Sequence, residues 1–456
     1  MPYTHITFGQ LKTELSLRLF DANKIFFVDA ELQLYLIEAI RTFGLCSGFW
    51  RERGTLDTSR GLPFYDIQQN LTNGVSLILQ PTVTDRDIIL ILQYHLLETN
   101  PGVSSQTSWL GTEMFTYQDL AQAVQNRRNQ FISDTGCVIQ RSIVPVISPP
   151  EGRQPLDQSV IDVRRAAWLG TWQQPYYNNL WRLEEREATA ASQIWSYTAD
   201  TPEAFSIMAP PPLQMQLVPI PITNGSIELL TTNSLTLNPQ SVSTVLGIPD
   251  QLTPAIKWGA LSDLLGNDGI ARDPVRAIWA EQRYQFYVKL ARMLPVVLHA
   301  EINGVPLIPC TLQEIESSTP TWENILTQPS DLAVIAPNMI ALNPVPDTVY
   351  SATLDVVREP PIPATDNDAV QLGREQLDMI LDYAEHLALF KIFGMEWHAG
   401  DRAAQNFLIQ SLTYNQRLSA AARNALNASF QTTMEKKRIP RRLDYSSTGV
   451  GALTGA

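Results

Sequence analysis

Two short stretches decide how this chain is read: Leu217-Val218-Pro219-Ile220-Pro221 and Leu342-Asn343-Pro344-Val345-Pro346. Both have the form Leu-x-Pro-[Ile/Val]-Pro. Proline cannot donate to a sheet ladder, so each stretch belongs at a strand start, an edge or a bulge. Downstream of each, a β-like run leads into a long helical pattern that meets a glycine, Gly266 in one case and Gly394 in the other. Glycine suits the position just past a helix end, where left-handed backbone is needed. A second helical pattern then follows in both.

The two helix pairs align at a constant spacing. Ala260-Leu261 falls on Ala388-Leu389, Leu264-Leu265 on Ile392-Phe393, and Asp273 on Asp401. Trp279 falls on Phe407, Gln282 on Gln410 and Leu290 on Leu418. Asp273 and Asp401 are expected near the starts of the second helices, where a carboxylate caps the helix and meets its dipole. The expected fold is therefore α+β. It consists mainly of helical bundles with β-strand and hairpin insertions, including an internal duplication of a strand-plus-helix-pair unit.

Upstream, residues 1–200 are expected to form a mainly helical N-terminal domain. Leu11, Leu15, Leu19 and Phe20 mark one face of a helix over Thr7 to Phe20. Asp29 is the expected cap of the next helix, which stops near Gly44 or Gly48. A short β-like region with a turn at Asn73-Gly74 comes next. Helices are expected over Thr84 to Leu97, Tyr117 to Ile132, Val160 to Leu169 and Tyr176 to Trp195, with a strand over Val138 to Ile147 before the Pro149-Pro150 break. The proline-heavy run over 201–225 marks the entry to the first repeat, 201–300; the second covers 301–434. Asn224-Gly225 and Asn303-Gly304 both read as type I′ hairpin turns. Residues 435–456 are a basic segment and an extended docking tail.

Charged residues make up 17% of the chain, below the roughly 25% usual for soluble proteins, which suits a subunit that covers its exterior with neighbours. The net charge of −13 argues against general nucleic-acid binding by the body of the protein. The exception is Glu435-Lys436-Lys437-Arg438-Ile439-Pro440-Arg441-Arg442-Leu443-Asp444. Lys436, Lys437, Arg438, Arg441 and Arg442, with Tyr445, are the candidate docking residues for an acidic partner. A solvated helix end and a phosphate contact are the competing readings. A free Ser/Thr/Gly/Ala tail of this kind is expected to be disordered until a neighbour holds it.

Cys46, Cys137 and Cys310 are far apart and odd in number, so neither a disulfide framework nor a zinc site is expected. The N-terminus lacks a basic-then-apolar leader pattern, and no apolar run is long enough to span a membrane. No P-loop, GxSxG, HExxH or GxGxxG pattern occurs. His386 and His398 are too far apart for a metal pair on one helix. Asp378, Asp382 and Glu385 share a helix edge, read as solvated or subunit-facing rather than catalytic. Trp258, Trp279, Tyr284, Tyr287, Tyr383, Phe390 and Phe393 are read as core. No catalytic residue, cofactor or metal is expected.

One run resembles a known family. Phe27-Val28-Asp29-Ala30-Glu31-Leu32, continuing through Tyr35-Leu36-Ile37-Glu38-Ala39-Ile40-Arg41-Thr42-Phe43, looks like the opening helix of tailed-bacteriophage head–tail connector and adaptor proteins. The unit from Leu342 to Leu418, with its Pro-x-Pro strand, proline-rich linker and helix pair, is similar to the same group. The resemblance implies a non-enzymatic, ring-forming homo-oligomer, often twelve-fold, below the portal of a phage head. Its C-terminal segment would reach the portal or the next neck component. Double-stranded DNA would pass through the lumen without specific binding, and an acidic lumen would let it slide. The expected location is the virion, after assembly in the host cytoplasm. The length and the duplication depart from the small adaptors. Another tail or baseplate component is the alternative, and a virion cell-wall-degrading enzyme is a third reading that would need a carboxylate pair at catalytic separation.

Overall fold

A computed structural model describes residues 5–71, 81–98, 114–146, 153–170, 177–184, 186–187, 199–208, 213–237, 243–269, 271–293, 296–392, 400–415 and 420–426. The fold is α+β. In chain order the helices are α1 (Phe8–Arg18), α2 (Asp29–Ser47), α3 (Ile67–Asn70), α4 (Asp85–His95), α5 (Tyr117–Thr135), α6 (Thr253–Gly266), α7 (Pro274–Met293), α8 (Leu312–Ser318), α9 (Arg374–Leu389) and α10 (Asp401–Tyr414). No described helix is long and apolar enough to cross a membrane.

Local chemistry sets most helix ends. Thr7, Thr84, Thr116 and Thr311 each accept from the backbone three residues on, while Gln10, Asp87, Asp119 and Glu314 return the bond. These reciprocal caps satisfy N–H groups that the first helical turn leaves open. Gly48 and Gly136, at φ +57° and +62°, close α2 and α5 in the left-handed region. One expected cap moves: Asp29 is the first residue of α2, and Val28 holds the cap position without a side-chain bond. The Asp29 carboxylate instead joins Lys12 and Lys24.

The long helices pack on one hydrophobic core that runs from Phe8 to Leu426 and includes Leu36, Leu92, Val124, Leu261, Tyr287 and Leu387. α6 is buried on nearly all sides, with Thr253 through Leu261 all inaccessible. α9 is one-sided and buries Leu377, Ile380, Tyr383, Ala384 and Leu387.

The β structure is more extensive than the sequence reading expected. One four-stranded sheet places Arg51–Asp57, Ser351–Val357, Val297–Ile302 and Val305–Pro306 side by side. Another orders Ile308–Cys310, Asp331–Ala336, Met339–Asn343 and Phe64–Asp66. The two share a core of Leu56, Tyr65, Ile302, Leu332, Leu342 and Leu354, so Arg51–Asp57 and Phe64–Asp66 are held by pairing with strands roughly 270 to 310 positions later. A seven-stranded sheet runs Gln140–Val146, Gly225–Asn233, Val160–Gly170, Asn178–Arg182, Ala204–Met208, Gln214–Val218, Arg153–Pro155. It draws strands from both sides of residue 200.

Two expected helices are corrected here. Val160–Gly170 is a strand, paired antiparallel with Gly225–Asn233 and Asn178–Arg182. Its β-branched Val160, Ile161 and Val163 and its Trp168 fit a pleated, covered surface. Asn178–Arg182 is also a strand, whereas a helix was expected over Tyr176 to Trp195. The hairpin turns divide. Asn303 and Gly304 have φ +53° and +75° and link antiparallel strands, as a type I′ turn requires. Asn224-Gly225 makes no such turn. Gly225 opens a strand instead, and a Cβ there would lie 2.4 Å from the Trp168 ring. The glycine permits close packing rather than a left-handed turn.

Both proline stretches sit at strand ends. Leu217 and Leu342 are fully buried, and Val218–Pro219 and Asn343–Pro344 are both cis. In each case a strand and a helix pair follow in the same order. The sheet context differs: Gln214–Val218 and Gly225–Asn233 share one sheet, whereas Met339–Asn343 and Ser351–Val357 lie in two.

Candidate functional site

The candidate docking residues Lys436, Lys437, Arg438, Arg441, Arg442 and Tyr445 lie outside the described residues. So do Gly394, His398, Phe393, Leu418 and the Asn73-Gly74 turn. Ile147, Pro149, Pro150, Tyr176 and Trp195 also lie outside the described residues. Trp258, Trp279, Tyr284, Tyr287, Tyr383 and Phe390 are all buried, as expected of core. Trp258 packs edge-on to Trp279 at 5.1 Å and to Phe390 at 5.0 Å.

His95 and His386 enter the same aromatic cluster, next to Trp258 and Trp279 respectively. Burial holds both imidazoles well below their ordinary pKa, so they are neutral. His386 lies 3.8 Å from Asp401, the first residue of α10. The cap expected of Asp401 belongs to Gly400, whereas Asp273 does accept from the Arg276 N–H at 3.1 Å.

A set of buried charged groups lies against α2, a region in which no site was expected. Glu38 is buried against α6, and the Lys257 ammonium donates to both its oxygens at 2.6 Å. Burial lowers Lys257 to about 8 against the opposing pull of Glu38. Burial also raises Glu38. One turn along, Arg41 lies 3.4 Å from Asp250. The Asp250 carboxylate accepts from the N–H of Thr82 at 2.8 Å, from the N–H of Val83 at 2.9 Å and from the Thr82 hydroxyl. Glu359 accepts from the Asp250 N–H at 2.7 Å. Burial, then the Asp250 charge, pushes Glu359 up to about 8. A cavity of about 170 Å³ beside this cluster is lined by Leu34, Ile37, Arg41, Thr82 and Lys257 among others.

A raised carboxyl beside a carboxylate could in principle move a proton. Here the geometry favours a fastening. Asp250 is committed to three donors on the 82–83 segment, and it contacts Glu359 directly. Sugar-cleaving pairs stand about 5 Å or more apart. The cluster pins the segments at Thr82 and Glu359 to α2. A sequence signal existed for its neighbour: Lys257 interrupts the apolar run Ala255-Ile256-Lys257-Trp258, where a cation is costly unless paired. Among the described residues, no group of three or more His, Cys, Asp or Glu could hold a metal ion.

The acidic edge of α9 has a partner the sequence reading did not see. Arg18 of α1 donates to Asp382 at 2.6 Å and to Asp378 at 3.1 Å. Arg18 leads directly into the loop before α2. In that loop the Asp21 carboxylate accepts from the N–H groups of Ile25 at 2.9 Å, Phe26 at 2.9 Å and Phe27 at 2.8 Å. Phe20 and Lys24 take positive φ, +57° and +52°, which side chains other than glycine rarely adopt. Thus braced, the loop holds Phe20 98% exposed, Ile25 79% and Phe26 49%. Lys391, just past α9, lies 4.5 Å over the Phe26 ring and bonds Glu31 at 2.9 Å.

No protein-family model matches this chain, and no curated protein matches it in sequence.

Proposed function

We propose that this chain is a non-enzymatic structural subunit of a tailed-phage virion. In this reading it is a ring-forming head–tail connector or adaptor that joins portal to tail and lines the DNA channel. The observation that carries the reading is the braced loop between α1 and α2. Its backbone is organised by Asp21, yet it presents Phe20, Ile25 and Phe26 to solvent. Large apolar groups held out in this way serve a partner surface rather than a monomer. The resemblance of Phe27 to Phe43 to connector proteins begins within this loop and supplies the assembly.

The recurring order of Leu-x-Pro-x-Pro stretch, strand and helix pair supports an internal duplication within the subunit. The net charge of −13 suits a channel along which DNA slides. The proposed partners are further copies of the chain, a portal protein and the next neck or tail component. The proposed location is the head–tail junction of the virion. The large share of β structure favours one second reading, another tail or baseplate subunit, which the ring symmetry would distinguish. Native mass of the purified chain, alone and with portal-bearing capsids, tests the proposal.

A further inference from the structure

The braced loop and the acidic edge of α9 form one continuous surface. Arg18 anchors its start to Asp378 and Asp382, and Lys391 under Phe26 anchors its end near the close of α9. On that edge Asp378 and Asp382 bond Arg18, and Glu385 lies within reach of its charge. Burial raises the Glu385 carboxyl, with Arg18 opposing the shift and Asp382 adding the smallest part to it. The surface is therefore apolar along the loop and acidic along the helix.

The chain also carries a segment of the opposite character. From Met434 to Tyr445 the cations Lys436, Lys437, Arg438, Arg441 and Arg442 are interleaved with Met434, Ile439, Leu443 and Tyr445. Such a segment can place apolar groups on Phe20, Ile25 and Phe26 and basic groups on the α9 edge. Leu426, the last described residue, is buried in the helical core. At about 3.3–3.6 Å per residue, the chain between Leu426 and Lys436 can span up to roughly 35 Å from that point.

We propose that residues 434–445 of one copy dock on the α1–α2 loop and acidic α9 edge of the next copy. This inference rests on the reading of the chain as a self-assembling subunit, and it names the contact. A patch and its complement at two places on one chain make a head-to-tail contact, the kind that closes into a ring when the rotation permits. Arginine and lysine on the arm give the contact its register, and the loop aromatics supply buried area.

The test uses two full-length chains, one carrying Phe20→Cys and the other Leu443→Cys, mixed and mildly oxidised. Position 20 is almost fully exposed, so its substitution leaves the fold intact; the native Cys46 and Cys137 are buried, and the partly exposed Cys310 is replaced by serine in both chains. The expected result is a disulfide-linked species containing one chain of each kind. It should be absent from the unsubstituted protein. It should be reduced at least several-fold by Asp378→Lys with Asp382→Lys, and by molar salt, which screens exposed charges. Absence of the mixed species overturns the proposal. So does a link that forms only within single chains carrying both cysteines, since the arm would then lie on its own body. A discrete ring without the cross-link would leave the assembly reading standing and remove this contact. A cross-linked dimer that never closes would do the reverse.

Discussion

At the scale of single residues, the strongest constraints are charges taken out of water. Lys257 is fully buried and is matched by one partner, Glu38, from a helix more than two hundred residues away in sequence. Lys257→Met leaves the Glu38 carboxylate buried without its cation and is expected to cost about 3–5 kcal/mol. The pair Lys257→Met with Glu38→Leu should recover most of that loss, because two apolar groups of similar volume need no desolvation. Urea unfolding of the three proteins checks this. A double variant as unstable as the single one would mean the site requires charge. Glu359 makes a separate prediction about pH. Its folded value of about 8 lies above the ordinary 4.5, so the folded state holds this proton more tightly. Its stabilisation is complete below about pH 4.5 and is lost as pH rises through about 8. Glu359→Gln keeps a neutral, hydrogen-bonding side chain and should flatten that part of the profile. Melting temperatures of the two proteins should diverge progressively between pH 5 and about 8. Parallel curves would place the Glu359 carboxyl in water.

At the scale of elements, the aligned leucines of the two helix pairs separate cleanly. Leu261 lies mid-helix in α6 with no exposed surface, whereas Leu389 ends α9 and is only partly covered. Leu261→Asp buries an unpaired charge and should cost about 4 kcal/mol or more. Leu389→Asp can turn its carboxylate toward water and should cost about 1–2 kcal/mol. Denaturant midpoints of both variants measure the difference, and equal losses would contradict the assigned faces. The same contrast shows what could be read from sequence. α1, α4 and α5 were legible because threonine caps and helical spacing are local signals. Asn303-Gly304 was legible because a type I′ turn needs only those two residues. Val160–Gly170 was misread because Ala166-Ala167 and Leu169 fit a helix locally. What decides it is distant pairing with Gly225–Asn233 and the ion pairs of Arg165 with Glu316 and Glu323. Gly225 was misread for a related reason: its role is set by Trp168, a neighbour in space. The fastening around Asp250 was hidden because its donors come from Thr82 and Val83 and its neighbour is Glu359.

At the scale of the whole molecule, the chain is interleaved. Residues 51–66 complete sheets made by residues 297–357, and the helical core draws on α1 and α2 as well as α9 and α10. Such a body resists separation into independently folding halves, since early and late segments share buried surface. It also leaves its braced apolar loop at the exterior, where only another surface can cover it. Covering this surface with a neighbouring copy is expected to build a closed assembly. The direct test is the native mass of the full-length chain by light scattering and mass photometry, alone and then with portal-bearing capsids. The expected result is a single discrete oligomer, shifted toward monomer by Phe20→Asp, that binds the capsids. A chain that stays monomeric at every concentration and ignores the capsids would contradict it.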